Sequence, residues 1–343
     1  MRGAGAGFVA AAVDRARDAA RSAPTQTINL APGGVGVRIH LTGERVIAEL
    51  GPALLVAEQP GDPLVELWSF DHAGSGLTPP PAPWSRADFR LREEIAGWTE
   101  PPLLASFDTA HATISVADTD AGTGIQWARD AAAMAPWEGG APLRYLLRWL
   151  LAPHGLHLVH GAVVGDEHGG VLLVGRGGAG KSTAALACAD AGMGLVADDY
   201  FLLGAGSELV AHPLFAVAKA DDAAIELLGP IAARAPWAPR DWRGKYRLPV
   251  GDLITGSMVI RAIVCPRRAG RTGTPVVGGA RSAAREVVTS SLSQLPGASA
   301  TTLAALRPLF DRLPCFELET GPDVERIPLV LTALLSELAA ERS

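Results

Sequence analysis

The stretch "VGRGGAGKST", residues 174–183, decides how this 343-residue chain is interpreted. Gly175, Gly180, Lys181 and Ser182 match G-x-x-x-x-G-K-[ST], the pattern of a phosphate-binding loop (P-loop). The glycines allow the backbone to curl so that several N–H groups point at one anion, and a following helix adds the positive end of its dipole. An apolar strand pattern precedes the motif and a helical pattern follows it. This context favours a phosphate site over a chance glycine-rich turn.

The residues of this loop have different predicted roles. Lys181 is expected to reach the outer phosphates and the Ser182 hydroxyl to ligate Mg²⁺. Gly178 is less diagnostic, and Thr183 is predicted to lie in the helix. The predicted nucleotide-binding set is Gly175, Gly178, Ala179, Gly180, Lys181, Ser182 and Thr183.

Strand and helix patterns alternate on both sides of the loop, which is typical of an α/β domain. Strands are predicted at 156–165, 170–175 and 194–203, and a helix runs from 181 to Gly192. Later in the chain, strands are predicted at 257–266 and 314–320, with helices at 301–313 and 328–341.

Two adjacent carboxylates follow the apolar run 194–197, in "VADDYFLL". One acidic residue after such a strand is the usual partner of Mg²⁺ in P-loop enzymes. A second can take a proton from an attacking hydroxyl. Side chains of neighbouring strand residues point to opposite faces, so Asp198 and Asp199 are predicted to do different work. A solvated acidic turn is the alternative, which the apolar flanks disfavour.

After the glycine loop and the two aspartates, His160, in "LVHGAVV", is the third candidate feature of the site. A lone histidine on a strand is more often a core residue than a catalytic one. A zinc site formed with His154 and His157 is disfavoured, because strand residues three apart face opposite sides.

In this order and spacing, His160-Gly161, the loop and Asp198-Asp199 resemble the catalytic core of HPr kinase/phosphorylase and its relatives. Their fold is shared more distantly with ATP-dependent phosphoenolpyruvate carboxykinase. The resemblance covers residues 156–204. Stretches such as 142–164 and 262–268 are similar to HPr-kinase-like proteins of peptide biosynthetic clusters. Some of those proteins phosphorylate a serine hydroxyl of a precursor peptide, as in lasso-peptide pathways.

The resemblance implies ATP, Mg²⁺ and a hydroxyl acceptor. It implies Asp198 as general base with His160 beside it, and Asp199 with Ser182 on the metal; the reverse assignment of the two aspartates stays open. The predicted catalytic set is thus Asp198, His160 and Lys181. The glycine-rich signature of true HPr kinases has no counterpart, since residues 236–252 stand in its place. Neither HPr as acceptor nor phosphorolysis is therefore carried over.

A second cation beyond Lys181 is expected, because phosphoryl transfer spreads negative charge over three oxygens. The candidates are Lys219, Arg243, Lys245, Arg267 and Arg268. Lys245 lies in a loop beside Tyr246, as a substrate-side residue would. Arg267 follows an apolar strand, where ligands bind in open α/β sheets. These two are favoured, although a solvated charge is the plainer account of either.

Two domains are predicted. Residues 1–140 form a β-rich α+β domain in which an amphipathic first helix precedes a region of short strands, with an antiparallel meander over 27–57. A signal peptide is disfavoured, because charged residues continue the helical pattern. This domain shows no clustered His, Cys or acidic set, and we expect it to recognise the acceptor or cover the site. Residues 141–343 form the HPr-kinase-like domain, beginning with a helix at 141–155 that packs one domain onto the other.

The composition disfavours some classes of partner and indicates a cellular compartment. The net charge of −6 disfavours a general nucleic-acid binder. No uncharged apolar run approaches the ~20 residues of a membrane span. Three widely spaced cysteines, each in an apolar segment, predict buried free thiols and a cytoplasmic protein.

The sequence therefore predicts an ATP-dependent kinase acting on an alcohol, foremost a Ser or Thr hydroxyl of a peptide or protein. A sugar or polyol kinase is one alternative. A non-catalytic nucleotide-binding module, regulatory or peptide-binding, is another. The paired aspartates favour the transferase, because a binding module needs only one metal-organising carboxylate. A GTPase is disfavoured by the lack of an N-K-x-D guanine motif. A homo-oligomer stays open.

Overall fold

The computed structural model describes residues 2–57, 61–90, 93–241, 243–268, 275–276 and 300–341. The chain divides into two compact units between Leu156 and His157. Both units combine helices with β-sheet, which confirms the predicted mixture of α and β structure.

The first unit is a seven-stranded sheet with helices. Its order is β1-β2-β3-β7-β6-β5-β4, parallel at β2–β3 and β3–β7 and antiparallel elsewhere. The elements, in chain order, are α1 (Arg2–Ser22), β1 (Thr25–Leu30), β2 (Val37–Thr42), α2 (Glu44–Leu50), β3 (Val65–Asp71), α3 (His72–Ser75), β4 (Glu94–Glu100), β5 (Leu103–Asp108), β6 (Thr113–Asp118), β7 (Thr123–Ala128) and α4 (Arg144–Leu151).

The predicted meander over 27–57 is wrong in its second half. Residues 45–51, expected as a strand, lie largely in α2. Val46 and Leu50, four residues apart, are both fully buried on one side of this helix. A short apolar run is compatible with the period of a strand and with that of a helix. Burial in the tertiary structure favours the helix here.

The two faces of the first sheet are covered by different helices. The amphipathic first helix is present as α1, which packs Val9, Ala12 and Ala16 against Trp68 and other apolar side chains of the sheet. On the opposite face, α4 contacts β6 and β7. The sequence placed the domain boundary between residues 140 and 141. The compact units instead divide after α4, because this helix covers strands of the first unit.

The second unit contains the glycine motif. Its elements are β8 (Leu156–His160), β9 (Ala162–Asp166), β10 (Gly169–Leu173), α5 (Lys181–Asp190), β11 (Gly194–Ala197), β12 (Tyr200–Ala205), β13 (Leu209–His212), β14 (Val217–Ala220), α6 (Asp222–Leu227), β15 (Tyr246–Pro249), β16 (Met258–Arg268), β17 (Pro275–Val276), α7 (Ala300–Arg312), β18 (Cys315–Thr320) and α8 (Arg326–Ala340).

The main sheet of this unit runs β11-β9-β10-β16-β13-β12-β8, and β18 also pairs with β16. Strands β10, β16 and β18 are parallel, so their carboxyl ends meet at one edge. Helices α5 and α8 cover one face of the sheet and α7 covers the other. The predicted strands 156–165 and 194–203 are each broken in two, at Gly161 and at Asp198-Asp199.

The three cysteines are free and buried, as predicted. In the described part of the chain, no helix combines the length and apolar character that crossing a membrane requires.

Candidate functional site

The glycine loop, residues 174–180, joins the carboxyl end of β10 to the first residue of α5. Gly175, Gly178 and Gly180 have φ values of 149°, 84° and 100°. This region of backbone space strains any residue with a Cβ, which explains the three glycines. Gly178, the less diagnostic position in sequence, therefore shapes the loop as much as the two motif glycines do.

Lys181 lies over this loop rather than in the core. Its Nζ donates to the Gly175 carbonyl oxygen at 2.8 Å and reaches the Arg176 carbonyl oxygen at 3.5 Å. Ala179 belongs to the same curl, because a Cβ at Gly175 would lie 3.0 Å from the Ala179 Cβ. Thr183 is in the first turn of α5, as predicted. The ammonium is thus held where an anion in the loop would meet it.

Asp198 is buried beside the loop. Its Oδ2 accepts the Lys219 backbone N–H at 2.9 Å, and the Ser182 hydroxyl also hydrogen-bonds this carboxyl. Its Oδ1 is buried and has no hydrogen-bond partner among the described residues. Burial, followed by the neighbouring charge of Asp199, raises the pKa of Asp198. This carboxyl therefore contacts the loop serine and keeps one oxygen unpaired.

Asp199 has the opposite environment. His160 Nε2 lies 2.9 Å from its Oδ1, and Lys219 Nζ lies 2.6 Å from its Oδ2. Burial disfavours its charge, but Lys219 and His160 outweigh burial and hold the pKa of Asp199 well below its usual range. The two adjacent aspartates thus differ in their contacts, their charge partners and the direction of their pKa shifts.

The structure corrects the predicted partner of His160, which is Asp199 and not Asp198. The φ of Asp199 is 71°, so simple strand alternation does not continue through it. Its carbonyl oxygen accepts the Gly161 N–H at 3.0 Å, which brings the end of β8 to this residue. A backbone hydrogen bond between distant segments therefore decides which carboxylate the imidazole meets.

Gly161 permits this arrangement by letting the end of β8 approach β10 closely. A Cβ at this position would lie 2.8 Å from Leu172 Cδ1 and 3.0 Å from the Leu173 carbonyl oxygen. The second contact is with backbone, which cannot move aside easily. Glycine at 161 thus helps to set the position of His160.

Lys219 is the cation that the fold brings to the aspartates. It lies on β14, which pairs with β15 in a two-stranded sheet. Its backbone N–H contacts Asp198 and its ammonium contacts Asp199. Sequence reasoning named it among five cations without preferring it. A lysine inside the apolar strand "VAKA" was the signal that could have singled it out.

The two favoured cations have other contacts among the described residues. Arg267, at the end of β16, forms an ion pair of 2.6 Å with Glu317 in β18 and is largely exposed. The Lys245 backbone N–H donates to Asp241 Oδ1 at 2.9 Å in the loop before β15. Their accessory roles stay predictions.

The donor set around Asp198 fits Mg²⁺. This ion prefers hard oxygen ligands, keeps several waters and is bound through one or two carboxylates with substrate phosphates. Asp198 Oδ1 is an unpaired buried carboxylate oxygen, and the Ser182 hydroxyl contacts the same carboxyl. Both oxygens of Asp199 are engaged by His160 and Lys219, so Asp199 fits the metal role less well. Among the described residues no group of three or more His, Cys, Asp or Glu could hold a metal, but Mg²⁺ with phosphate and water ligands needs none.

Comparisons with known proteins give matches among solved structures. No protein-family model matches the chain, and no curated protein matches it. Among solved structures, the chain is similar to the Hpr(Ser) kinase/phosphatase from Coxiella burnetii at 15% sequence identity. The similarity covers 54% of this chain and 92% of that chain, with a TM-score of 0.31.

Proposed function

We propose that the second unit transfers the γ-phosphoryl group of ATP to an alcohol. One observation carries the proposal: at the lysine-bearing glycine loop, two adjacent carboxylates have opposite environments. Asp198 contacts the loop serine and keeps an unpaired oxygen, whereas Asp199 is paired with a lysine and a histidine. A module that only binds a nucleotide has use for the first carboxylate. Phosphoryl transfer has use for both.

The loop and Asp198 form the nucleotide side of the proposed site. Lys181 binds the outer phosphates together with backbone N–H groups of the glycine loop. Asp198 and Ser182 hold Mg²⁺. When bound, this ion neutralises charge that develops on the phosphoryl oxygens. These roles reverse the first assignment that the sequence resemblance implied for the two aspartates.

Asp199 is the proposed general base. The proton of an alcohol must leave as its oxygen bonds to the γ-phosphorus and the bond from that phosphorus to the departing ADP breaks, and a carboxylate within hydrogen-bonding reach can accept the proton. His160 holds Oδ1, so the proton goes to Oδ2. With Lys219 on Oδ2, Asp199 is a weak base. The incoming phosphoryl charge attracts the Lys219 ammonium, which frees Oδ2 and raises the basicity of Asp199 when the acceptor is present.

The acceptor is proposed to be a Ser or Thr hydroxyl of a peptide or protein. The support for this class is the resemblance of residues 142–164 and 262–268 to HPr-kinase-like proteins of peptide biosynthetic clusters, some of which phosphorylate a peptide serine. Recognition of the acceptor by the first unit stays a prediction.

The test separates nucleotide binding from transfer. Asp198→Asn, Asp199→Asn and Lys181→Ala are compared with wild type for Mg·ATP affinity, and for single-turnover transfer from γ-labelled ATP to Ser/Thr peptides and polyols. We expect Lys181→Ala to lose ATP binding. We expect Asp198→Asn to weaken the dependence of ATP binding on Mg²⁺. Asp199→Asn should keep Mg·ATP affinity and transfer about 10²–10⁴-fold more slowly, as for loss of a base.

Asp222→Asn is the matched control. Asp222 is an exposed partner of Arg240, and its substitution should leave both measurements unchanged. Wild-type transfer by both Asp198→Asn and Asp199→Asn would show that the pair is structural. ATP binding without transfer to any acceptor would favour the binding module instead.

A further inference from the structure

The first unit contains a separate polar cleft. It is partly open to solvent, and its interior has a volume of about 10 Å³, which is room for about one water-sized group. Its lining includes Glu93, Ser106, Asp108, Glu138 and Tyr145, which all belong to this unit. These residues are far apart in sequence, and strands β5 to β7 and the segment leading into α4 bring them together.

A polar row crosses the sheet at the cleft, and three of its four residues, Ser106, Ser115 and Gln126, line the cleft. Ser106, Ser115, Gln126 and Ser69 are successive register partners on β5, β6, β7 and β3, and all four are buried. Most of the row is internally satisfied. Ser69 Oγ donates to Gln126 Oε1 at 3.2 Å, and Gln126 Nε2 donates to Glu138 Oε2 at 3.1 Å. The row is therefore a hydrogen-bonded network rather than a set of isolated polar residues.

Two buried polar atoms of the cleft lack partners. Ser106 Oγ and Glu93 Oε2 are buried, and neither atom has a hydrogen-bond partner among the described residues, although Tyr145 hydrogen-bonds the Glu93 carboxyl. Ser106 is only 2% exposed. Buried polar atoms in native proteins are almost always paired, so an unpaired one in a cleft points to a bound species.

The charge of the cleft indicates the sign of that species. Glu93, Asp108 and Glu138 contribute three carboxyls. Asp108 Oδ2 is paired with His111 Nδ1 at 2.6 Å, and Arg144 lies near the other two. Burial raises the pKa of both Glu93 and Glu138, and the charge of Asp108 adds to this effect. Three carboxyls thus lie near one guanidinium, that of Arg144, and an added cation would relieve the repulsion among them.

We propose that this cleft binds one protonated primary amine, R–NH₃⁺, through Ser106 Oγ and Glu93 Oε2. An ammonium has three N–H donors and no acceptor, which matches a site offering unpaired acceptors and negative charge. Water would satisfy the hydrogen bonds but not the charge. The narrow interior admits a head group, while the open mouth leaves room for its alkyl chain. The site is independent of the proposed phosphotransferase.

The test uses n-butylammonium chloride, with tetramethylammonium chloride and KCl at equal ionic strength. Binding to the full chain is measured by the thermal unfolding midpoint and by the fluorescence of tryptophan, since Trp137 lines the cleft. We expect a saturable response to n-butylammonium alone. Ser106→Ala and Glu93→Gln should each weaken it about tenfold or more, the scale of one hydrogen bond to a charged group.

Glu44→Gln is the control for general charge effects. Glu44 is exposed in the first turn of α2 and does not line the cleft, so this variant should bind like wild type. Glu93 is only partly buried, which makes Glu93→Gln the second test if Ser106→Ala does not fold. No saturable response to the amine would mean that the cleft holds water only. An equal response to tetramethylammonium or K⁺, or unchanged binding in both cleft variants, would also overturn the proposal.

Discussion

At the scale of single residues, neighbours of the same chemistry have different properties. Asp198 and Asp199 are adjacent carboxylates, yet burial raises the pKa of the first, while Lys219 and His160 lower the pKa of the second. Lys219 contacts both, through its backbone and its side chain. The proposed division of labour follows from these contacts and not from the residue types.

Glu138 provides a pH-dependent prediction at this scale. Burial raises its pKa above the ordinary 4.5. Below that pH the carboxyl is protonated in both folded and unfolded chains. As pH rises through the folded pKa, the native state must release a proton that it binds more tightly than the unfolded chain does, so stability falls. Glu138→Gln removes this titration. The free energy of unfolding of the variant should therefore increase relative to that of wild type as pH rises from 4 to 8.

Urea unfolding across that pH range checks this prediction. The charged groups that act on Glu138, or on which it acts, are Glu93, Asp108 and Arg144, and all three are present in both proteins. The exposed Glu44→Gln variant should show no such trend. A constant difference between wild type and Glu138→Gln would contradict it.

At the scale of elements, the candidate site is made by interruptions of strands. The glycine loop ends β10, Gly161 separates β8 from β9, and Asp198-Asp199 separate β11 from β12. Each interruption leaves a side chain or backbone N–H beside the same edge of the sheet. An unbroken strand would instead alternate its residues between the two faces.

Gly161→Ala tests this element-scale view. The added Cβ would meet the Leu173 carbonyl oxygen at 3.0 Å, so β8 must move. We expect a loss of about 1–3 kcal/mol in unfolding free energy, typical of overpacking. Transfer activity should fall as well, because His160, which contacts Asp199, directly precedes Gly161 and would move with it. Gly256→Ala is the control, since a Cβ there meets nothing within 4 Å. Equal stability of the two variants by urea unfolding would refute this account.

At the scale of the whole molecule, the two compact units differ from the predicted domains by one helix. α4 buries Leu146, Leu147, Leu150 and Leu151, and its contacts include β6 and β7 of the first unit. A division at residue 141 therefore separates this helix from the strands that cover it.

Two fragments test the division. A fragment of residues 142–343 should expose the leucines of α4 and self-associate, since large exposed apolar patches promote association. A fragment of residues 155–343 lacks them, and we expect it to remain monomeric and to bind Mg·ATP. Light scattering after size-exclusion chromatography, with ATP titration, distinguishes the two. Aggregation of the shorter fragment alone would show that the second unit needs α4.

Local patterns in the sequence were enough to predict the glycine loop, the alternation of strands and helices in the second unit and the buried cysteines. They also indicated the candidate site residues, namely His160, Lys181, Ser182 and the two aspartates. Such features depend on neighbours within a few residues, whose spacing and turn chemistry are visible in one dimension.

Tertiary structure alone decided the pairing of His160 with Asp199, the contact of Ser182 with Asp198 and the arrival of Lys219. It also brought Glu93, Ser106 and Glu138 into one cleft, although the first unit shows no acidic cluster along its sequence. The physical reason is common to all of these cases. Sequence periodicity indicates the face on which a side chain lies, whereas its partner and its pKa depend on segments brought near by strand pairing and by a backbone conformation such as the left-handed φ of Asp199.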